Sequence, residues 1–223
     1  MKQNLKNFGI VILAAGRGAR MKCELPKALV KLKGRPIIEY LVKSCLASAV
    51  DANPMVVVSP DNKEIISQTL AKYNCQYAMQ DKQLGTGHAL SCAKDLVDKA
   101  VDHIICLYGD HPFITAATIS KLADSQHGVI TMMTTKVSDF DDWRKCFNYW
   151  GRIIRDESGQ VKENIEFRDA ADEVKQIKEV NPAMYCLATG WLWENLAKLN
   201  NYNAPQEYYL TDLVQMAIGQ GKK

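Results

Sequence analysis

The segment at residues 8–27, FGIVILAAGRGARMKCELPK, constrains the fold of this chain more than any other. It opens with an apolar, β-branched run from Ile10 to Leu13, a pattern typical of a strand buried on both faces of a parallel sheet. Residues 14–16 then carry no bulky side chain, and Gly16 and Gly18 allow the backbone to turn sharply and to approach a ligand. We therefore predict a parallel sheet with a ligand-binding loop at the carboxyl end of its first strand.

The same loop carries positive charge, since Arg17 and Arg20 lie in it and Lys27 follows Pro26. A loop of small residues ringed by cations suits the phosphates of a nucleotide. It is not a dinucleotide-binding fingerprint, because Met21 stands where the third glycine would be, and the chain has no Gly-Lys-Ser/Thr run of a P-loop. The sequence therefore predicts a nucleotide-binding loop of another kind.

Length and composition fit one globular domain with a small additional lobe. The chain has 223 residues, of which 47% are hydrophobic and 24% charged. The net charge of +3 is too small to indicate nucleic-acid binding. The N-terminus has no apolar signal-peptide region and no apolar run reaches membrane-spanning length, so we expect no membrane association.

The seven cysteines include no Cys-x-x-Cys pair, and their number is odd. Cys45, Cys92 and Cys106 fall on apolar stripes, so we expect buried free thiols there. This usage fits a reducing compartment, and the cytoplasm is the expected location.

Strand and helix patterns alternate along the first part of the chain, which favours a doubly wound, mostly parallel sheet. The predicted strands are Ile10 to Leu13, Met55 to Val58, Gln76 to Gln80, His103 to Tyr108 and Gly128 to Thr135. The predicted helices are one opened by Pro36, one capped by Asp61, and those over Thr86 to Ala100 and Thr115 to Ala123.

The second part of the chain is less regular and predicts a small β-rich lobe. Gly151 to Arg155 and Val161 to Glu166 flank a turn at residues 156–159 and form a predicted hairpin. The remaining predicted elements are a strand over Glu179 to Leu187 and helices over Trp191 to Leu199 and Tyr208 to Ile218.

Three distinctive loops follow the first, third and fourth predicted strands, at residues 16–20, 80–87 and 108–112. Ligands of open parallel sheets bind at the carboxyl ends of strands, so we expect these loops to form one site. In the second loop, glycines flank Thr86 just before a helix, where backbone N–H groups suit an anion or a base edge. Gln80 can both donate and accept, which suits the imide edge of uracil. A glycine-rich helix cap and an exposed strand-end glutamine are the structural alternatives.

Asp110 ends an apolar strand beside these loops, where a carboxylate is a good magnesium ligand. A helix cap or an ion pair with an arginine is the alternative for this residue. His88 and His111 have neither metal-ligand spacing nor a partner nucleophile, so we interpret both as structural or substrate-shaping.

Several motifs occur in an order and spacing that resemble the sugar-nucleotide pyrophosphorylases, a nucleotidyltransferase family. LAAGRGARM followed by Pro26-Lys27 resembles the signature of the whole family, with Ala19 where Thr is usual. The later motifs resemble one subgroup, the uridylyltransferase domain of bacterial N-acetylglucosamine-1-phosphate uridylyltransferases. These motifs are QLGTGHA, LYGDHP, the Gly-Arg pair at 151–152, IEFRDA at 165–170, EVN at 179–181 and EYYLTD at 207–212.

The resemblance implies a Rossmann-like nucleotidyltransferase fold with a nucleotide-binding half, about residues 1–135, and a sugar-binding half, about residues 136–223. It implies catalytic roles for Arg20, Lys27 and Asp110, with Asp110 as the ligand of Mg²⁺. The implied nucleotide-binding residues are Leu13, Ala14, Ala15, Gly16, Gln80, Gly85, Thr86, Tyr108 and Gly109. The implied sugar-binding residues are Gly151, Glu166 and Asn181.

The chain departs from the family pattern around the sugar site. Pro182-Ala183 follow Asn181 where the family has Thr-Gly. Phe167 replaces a usually polar residue, and Asn148-Tyr149-Trp150 replace a smaller segment before Gly151. These changes make the identity of the sugar the most open part of the assignment.

The implied reaction transfers a uridylyl group from UTP to a sugar 1-phosphate, most simply N-acetylglucosamine 1-phosphate, in nucleotide-sugar biosynthesis for the cell envelope. The alternatives are a cytidylyl- or other nucleotidyltransferase acting on a different phosphate, and a sugar-nucleotide-binding protein without catalysis. The partners expected are the two substrates alone, with no obligate protein partner. Eleven residues follow Asp212 and no hexapeptide repeat occurs, so we expect a single transferase domain without the left-handed β-helix of the resembling enzymes.

Overall fold

The computed structural model describes residues 7–16, 25–203 and 206–222 of the chain. A six-stranded sheet forms its centre, and its strands are β1 (Phe8–Leu13), β4 (Met55–Val58), β5 (Gln76–Met79), β6 (His103–Tyr108), β7 (Ile130–Met132) and β12 (Tyr185–Ala188). Their order across the sheet is β5-β4-β1-β6-β12-β7. The first four strands are parallel, while β12 is antiparallel to both of its neighbours. The sheet is thus mixed but mostly parallel, as predicted.

Helices cover both faces of this sheet, so the doubly wound architecture is confirmed. Along β1, Ile10 and Ile12 pack into one core and Val11 and Leu13 into the other, because side chains alternate along a strand. The first core also contains residues of α1 (Ile37–Ala47), α2 (Lys63–Thr69) and α4 (Ala116–Asp124). The second contains residues of α3 (Thr86–Ser91), α6 (Thr189–Leu196) and α7 (Asp212–Gly219).

A second, antiparallel sheet forms the predicted β-rich lobe. Its strands are β8 (Thr135–Lys136), β9 (Gly151–Arg155), β10 (Val161–Ile165) and β11 (Glu179–Asn181), in the order β10-β9-β11-β8. The predicted hairpin joins β9 and β10, and the Asp156 carboxylate accepts hydrogen bonds from the backbone N–H groups of Ser158 and Gln160 in its turn. The remaining elements are the short strands β2 (Lys31–Leu32) and β3 (Arg35–Pro36), helix α5 (Asp172–Lys175), and 3₁₀ segments at Lys27–Leu29, Lys94–Leu96 and Asp142–Tyr149.

Two of the predicted strands are each divided between the two sheets. The segment predicted as one strand from Glu179 to Leu187 forms β11 in the second sheet and β12 in the central sheet, and residues 128–135 supply β7 and the start of β8 in the same way. Between β11 and β12 the backbone turns at Ala183, whose φ is 58° and whose N–H donates to Asn181 Oδ1 at 2.8 Å. A run of apolar residues shows that a segment is buried but not that it passes from one sheet to another.

Four helix predictions were wrong at their ends. Helix α6 covers Thr189–Leu196 rather than Trp191 to Leu199. The helix predicted to reach Ala100 ends at Ser91, and Leu96 is 51% exposed. Helix α2 is preceded by Asn62 rather than Asp61, and the Asn62 amide donates to the carbonyl of Ala14 instead of capping the helix. Helix α7 starts at Asp212 rather than Tyr208. No helix in the described ranges is long and apolar enough to cross a membrane.

Of the three cysteines expected to be buried, Cys45 and Cys106 are fully buried and Cys92 is half-buried. Burial raises the pKa of all three thiols. Each therefore stays protonated, which matches the expected role of packing groups.

The second sheet contains a buried carboxylate paired with an arginine near the surface. Glu179 on β11 is 7% exposed, and its carboxylate accepts hydrogen bonds from Arg155 Nε at 2.9 Å and from Thr134 Oγ1 at 2.7 Å. The hydrogen bonds from Arg155 hold the pKa of Glu179 below its ordinary value. The ionised form is therefore favoured in the folded state, and it joins β11 to β9 across the sheet.

We predict that Glu179→Gln lowers the free energy of unfolding at pH 7 by about 1–3 kcal/mol, the value of a hydrogen bond to a charged group. Because the folded-state pKa is lowered, the contribution of Glu179 is complete above its unfolded pKa and is lost as the pH falls through the folded value. Thermal unfolding at pH 7 and pH 3 should show a smaller acid-induced loss for the variant than for the parent. Glu157→Gln, at an exposed turn position, is the matched control; equal melting of Glu179→Gln and the parent at both pH values would contradict the prediction.

Candidate functional site

Gly16, which is the described part of the first predicted loop, lies with residues of the second and third predicted loops around a cavity of about 470 Å³ at one edge of the central sheet. Eleven residues assigned to the nucleotide, to catalysis or to the metal line it: Leu13, Ala14, Ala15, Gly16, Lys27, Gln80, Gly85, Thr86, Tyr108, Gly109 and Asp110. Arg20 lies outside the described residues. We call this space the first cavity.

The segment 13–15, which leads into the first loop, is held close to its neighbours by hydrogen bonds to its carbonyl groups and by close packing. The N–H of Gly109 donates to the carbonyl of Leu13 at 2.9 Å, and a Cβ at Gly109 would lie 3.1 Å from that of Ala14. From the other side, Gln83 Nε2 donates to the carbonyl of Ala15 at 3.0 Å. The small residues Ala14 and Gly109 therefore allow the two strand ends to pack closely.

The two motifs most specific to the resembling subgroup, QLGTGHA and EYYLTD, bind each other. The N–H of Tyr208 donates to the carbonyl of Leu84, and the N–H of Gly87 donates to that of Tyr208, both at 2.8 Å. Thr86 Oγ1 accepts from the N–H of Leu210 at 3.0 Å. Helix α7 starts only at Asp212 because these backbone groups of the preceding residues are already paired. Sequence reasoning placed QLGTGHA in a loop before a helix and began the last helix at Tyr208, and it did not predict that the two motifs meet.

The edge of the first cavity carries a charged contact. Lys27 Nζ donates to Asp110 Oδ2, and His111 Nε2 lies 3.7 Å from Asp110 Oδ1. Lys27 is half-exposed, while the Asp110 side chain is 20% exposed. Burial lowers the pKa of His111, and Asp110 opposes this effect. The cluster therefore presents one cation and one carboxylate beside a neutral imidazole.

A second cavity of about 320 Å³ adjoins the first, and Thr86, Tyr108 and Glu207 line both. The three residues assigned to the sugar, Gly151, Glu166 and Asn181, lie on its wall. The structure thus brings together the predicted sugar residues and places them next to the predicted nucleotide residues. Glu207 belongs to both walls, and sequence reasoning did not single it out except as part of EYYLTD.

Glu166 and Asn181 differ in how free their side chains are. Asn181 Nδ2 donates to the hydroxyl of Tyr185 at 2.6 Å, and its Oδ1 accepts from Ala183, so both ends of the amide are engaged. Burial raises the pKa of the Glu166 carboxyl, the neighbouring Thr211 hydroxyl opposes this effect, and Asp169 and Asp212 add to it. Asn181 therefore shapes the wall, while Glu166 is the group able to accept or share a proton with a bound hydroxyl or amide.

Aromatic rings form one side of the second cavity. The His111 ring stacks between Tyr108 and Trp150, with 6.1 Å between ring centroids on each side, and Tyr149 meets Phe167 edge-on at 5.5 Å. Sequence reasoning marked residues 148–150 and 167 as departures from the family pattern but did not predict this stack. Its members are far apart in sequence, so only the fold shows that they meet.

A fully buried arginine positions the segment that carries Trp150. The Arg152 guanidinium donates to the carbonyls of Asn148, Trp150 and Lys175, and it lies 4.6 Å from the ring centroid of Phe140. Burial lowers its pKa. Carbonyl oxygens satisfy the guanidinium here, so the Gly-Arg pair serves the shape of the second cavity.

Asp110 offers a fitting but minimal site for a divalent cation. Among the described residues, no three His, Cys, Asp or Glu side chains are grouped so as to hold a metal ion. A single carboxylate beside a phosphate-sized cavity still suits Mg²⁺, which commonly keeps water and substrate oxygens as ligands. Asp110 would have to exchange its contact with Lys27 for such an ion.

Comparison with known proteins places this geometry among nucleotidyltransferases. Residues 10–201 match the family described as the MobA-like NTP transferase domain. The chain is 37% identical over 218 residues to the bifunctional protein GlmU of Caldicellulosiruptor saccharolyticus, covering 98% of this chain and 46% of that protein. It is 38% identical over 213 residues to the GlmU of Acinetobacter baylyi, covering 95% and 44%. The chain thus spans about half the length of these curated relatives.

Solved structures support the fold. A UDP-glucose pyrophosphorylase complexed with UDP-glucose superposes with a TM-score of 0.72 at 16% identity, covering 98% of this chain and 89% of that one. A 4-diphosphocytidyl-2C-methyl-D-erythritol synthase from Anaerococcus prevotii gives a TM-score of 0.62, also at 16% identity, covering 86% and 74%. At this identity the likeness concerns the fold alone.

We predict that Gly85→Ala disrupts the paired loops of the site. Gly85 has a φ of 102°, and an added Cβ would lie 2.7 Å from both the N and the O of Tyr208. Because backbone must move to relieve this contact, we expect a loss of at least about 2 kcal/mol in unfolding free energy. Gly190→Ala is the control, since nothing lies within 4 Å of its added Cβ. Calorimetric melting should separate the two variants, and equal melting temperatures would show that the loops are not tightly paired.

Proposed function

The chain belongs to the MobA-like NTP transferase domain family, and we propose that it transfers a uridylyl group from UTP to N-acetylglucosamine 1-phosphate. The products are UDP-N-acetylglucosamine and pyrophosphate. The first cavity holds the nucleotide, the second holds the sugar, and the phosphates meet at the edge carrying Lys27 and Asp110.

The observation that carries this proposal is the adjacency of the two cavities. Thr86 and Tyr108 line both, so ligands in the two spaces would touch. His111, on the wall of the second cavity, directly follows Asp110 on the wall of the first. A nucleotide and a sugar phosphate held on either side of this boundary have their phosphates side by side, which is the arrangement that a transfer between them requires.

The reaction needs no side-chain nucleophile. An oxygen of the sugar 1-phosphate forms a bond to the α-phosphorus of UTP, and the bond from that phosphorus to the oxygen bridging to the β-phosphate breaks. The attacking oxygen is already anionic, so no general base has to remove a proton. The contribution of the protein is alignment of the two phosphates and stabilisation of their charge.

Lys27 and Asp110 supply the charges for this chemistry. The Lys27 ammonium, free of its contact with Asp110, would donate to phosphate oxygens, and Arg20 is proposed to do the same from the preceding loop. Asp110 would hold Mg²⁺, which when bound neutralises phosphate charge. In the structure Asp110 keeps Lys27 at the edge of the first cavity, so the Lys27 ammonium is in place before a nucleotide binds.

The residues that line the second cavity suit a sugar phosphate acceptor with a polar substituent. Gly151 lies on the wall of this cavity and packs closely at the start of β9, since a Cβ there would lie 3.1 Å from Asn164 Oδ1. Glu166 is proposed to accept from the sugar hydroxyl or acetamido N–H groups, and Asn181 to hold the wall against which they rest. The two relatives described above are both named GlmU, which supports the same class of acceptor.

Pyrophosphate release, coupled to mass spectrometry of the products, tests the proposal. UTP, CTP, dTTP, ATP and GTP are each offered with N-acetylglucosamine, glucose and glucosamine 1-phosphates and with phosphocholine. The proposal expects the fastest release with UTP and N-acetylglucosamine 1-phosphate, and a product with the mass of UDP-N-acetylglucosamine. Faster reaction with another pair would replace the proposed substrates, and no release with any pair would contradict catalysis.

We predict that Asp110→Asn lowers turnover by about 100-fold or more, because an amide offers a ligand oxygen without the negative charge that holds a cation. Steady-state kinetics at several magnesium concentrations should show the loss persisting at saturation. Asp124→Asn removes a carboxylate from an exposed position at the end of α4 and is the matched control. Parental turnover of Asp110→Asn, with both variants melting like the parent, would remove Asp110 from catalysis.

A further inference from the structure

The side chain of Gln80 is locked in place at the end of β5. It is only 3% exposed, yet it lines the first cavity. Its Nε2 lies 3.1 Å from the carbonyl oxygen of Gly85 and 3.0 Å from Nδ1 of His88. The amide is therefore held by two groups of the QLGTGHA loop and helix α3.

These two contacts determine which atom of the amide a ligand meets. A backbone carbonyl only accepts hydrogen bonds, so the amide group beside Gly85 has to be the NH₂ and not the oxygen. His88 Nδ1 takes the second hydrogen, which requires a neutral imidazole with its own proton on Nε2. Both amide hydrogens are then used, and within the described part of the chain no hydrogen bond reaches Gln80 Oε1. The oxygen is the atom left for the base.

His88 makes this contact from outside the first cavity. It lines a separate cavity of about 300 Å³, between α3 and α6, whose wall includes Lys94 and Trp193. The carbonyl of His88 also accepts from the hydroxyl of Ser91 at 2.8 Å, which fixes the turn of α3 that carries the ring. His88 can thus act on a nucleotide only through Gln80, as a positioning residue.

We propose that His88 selects uracil over cytosine by fixing the orientation of the Gln80 amide. Uracil presents an N3–H donor between its two carbonyls, and this donor matches a free amide oxygen. Cytosine presents an unprotonated N3 acceptor at the same place, so two acceptors would face each other unless the base shifted. The proposal rests on the proposed function, in that a pyrimidine nucleotide occupies the first cavity, and it adds the residue that sets the choice of base.

Without His88, the second amide hydrogen of Gln80 has no fixed partner. Only the hydrogen bond to the Gly85 carbonyl, at 3.1 Å, then opposes rotation of the amide. The amide can turn at the cost of that one hydrogen bond and offer its NH₂ to the N3 of cytosine. Discrimination between the two bases should fall, while binding of the triphosphate should persist. A residue that merely stabilised the fold would weaken binding of both nucleotides equally.

The test compares calorimetric dissociation constants of UTP and CTP for the parent and two variants. For the parent we expect UTP to bind at least about tenfold more tightly than CTP, as for a site whose polar groups are matched to one partner. In His88→Leu this preference should fall to about twofold or less. In His88→Asn it should return to within about twofold of the parent, because the Asn Oδ1 lies close to the position of His Nδ1 and accepts the same hydrogen bond.

His127→Leu makes the same chemical change at an exposed position and should keep the parental preference. An unchanged preference in His88→Leu would overturn the proposal, as would a parent that binds CTP as tightly as UTP. If His88→Leu does not fold, His88→Phe takes its place. Phe keeps an aromatic ring but cannot accept the hydrogen bond from Gln80, whereas Asn in His88→Asn can accept it. The test measures binding of UTP and CTP and needs no sugar transfer. A failure of sugar transfer would therefore disprove the proposed function, while the comparison of the two dissociation constants could still be interpreted.

Discussion

The parallel hydrogen bonding of β1 to a strand on each side is the constraint on which the site depends. Val11 stands opposite Met55 of β4 and Cys106 of β6. Because parallel neighbours end on the same side, the loops that follow β1, β5 and β6 meet at one edge of the sheet. The pairing continues past the strand ends, where the N–H of Gly109 donates to the carbonyl of Leu13. The first cavity is therefore a consequence of strand order.

The second cavity depends on a different feature, the passage of the chain between the two sheets. The segment between β11 and β12 turns at Ala183, and the amide of Asn181 holds that turn while donating to Tyr185 on the central sheet. Arg152 holds the opposite wall by bonding three backbone carbonyls. Polar side chains of the candidate site thus also have structural roles, which links the shape of the second cavity to the packing of the lobe.

Features that depend on local sequence were predictable, and those that depend on distant partners were not. The limits of β4 and β6 were predicted without error, because each is a continuous apolar run bounded by turn residues. The nucleotide loops were predicted from glycine spacing and charge, while the roles of their individual residues were implied by the resemblance to the sugar-nucleotide pyrophosphorylases. The late start of α7 was missed because Tyr208 pairs with Leu84 and Gly87, more than a hundred residues away. The contact between Gln80 and His88 was missed for a related reason. Only the three-dimensional structure shows which atoms of a side chain are hydrogen-bonded and which remain free.

A crystal structure of the chain with UDP-N-acetylglucosamine tests the central claim most directly, namely that the two adjoining cavities hold the two parts of one product. The uracil should lie in the first cavity with its N3–H directed at Gln80 Oε1, and the hexosamine in the second beside Glu166. The diphosphate should cross the shared boundary next to Lys27 and Asp110. A product bound in the reverse direction, or outside these cavities, would contradict the account.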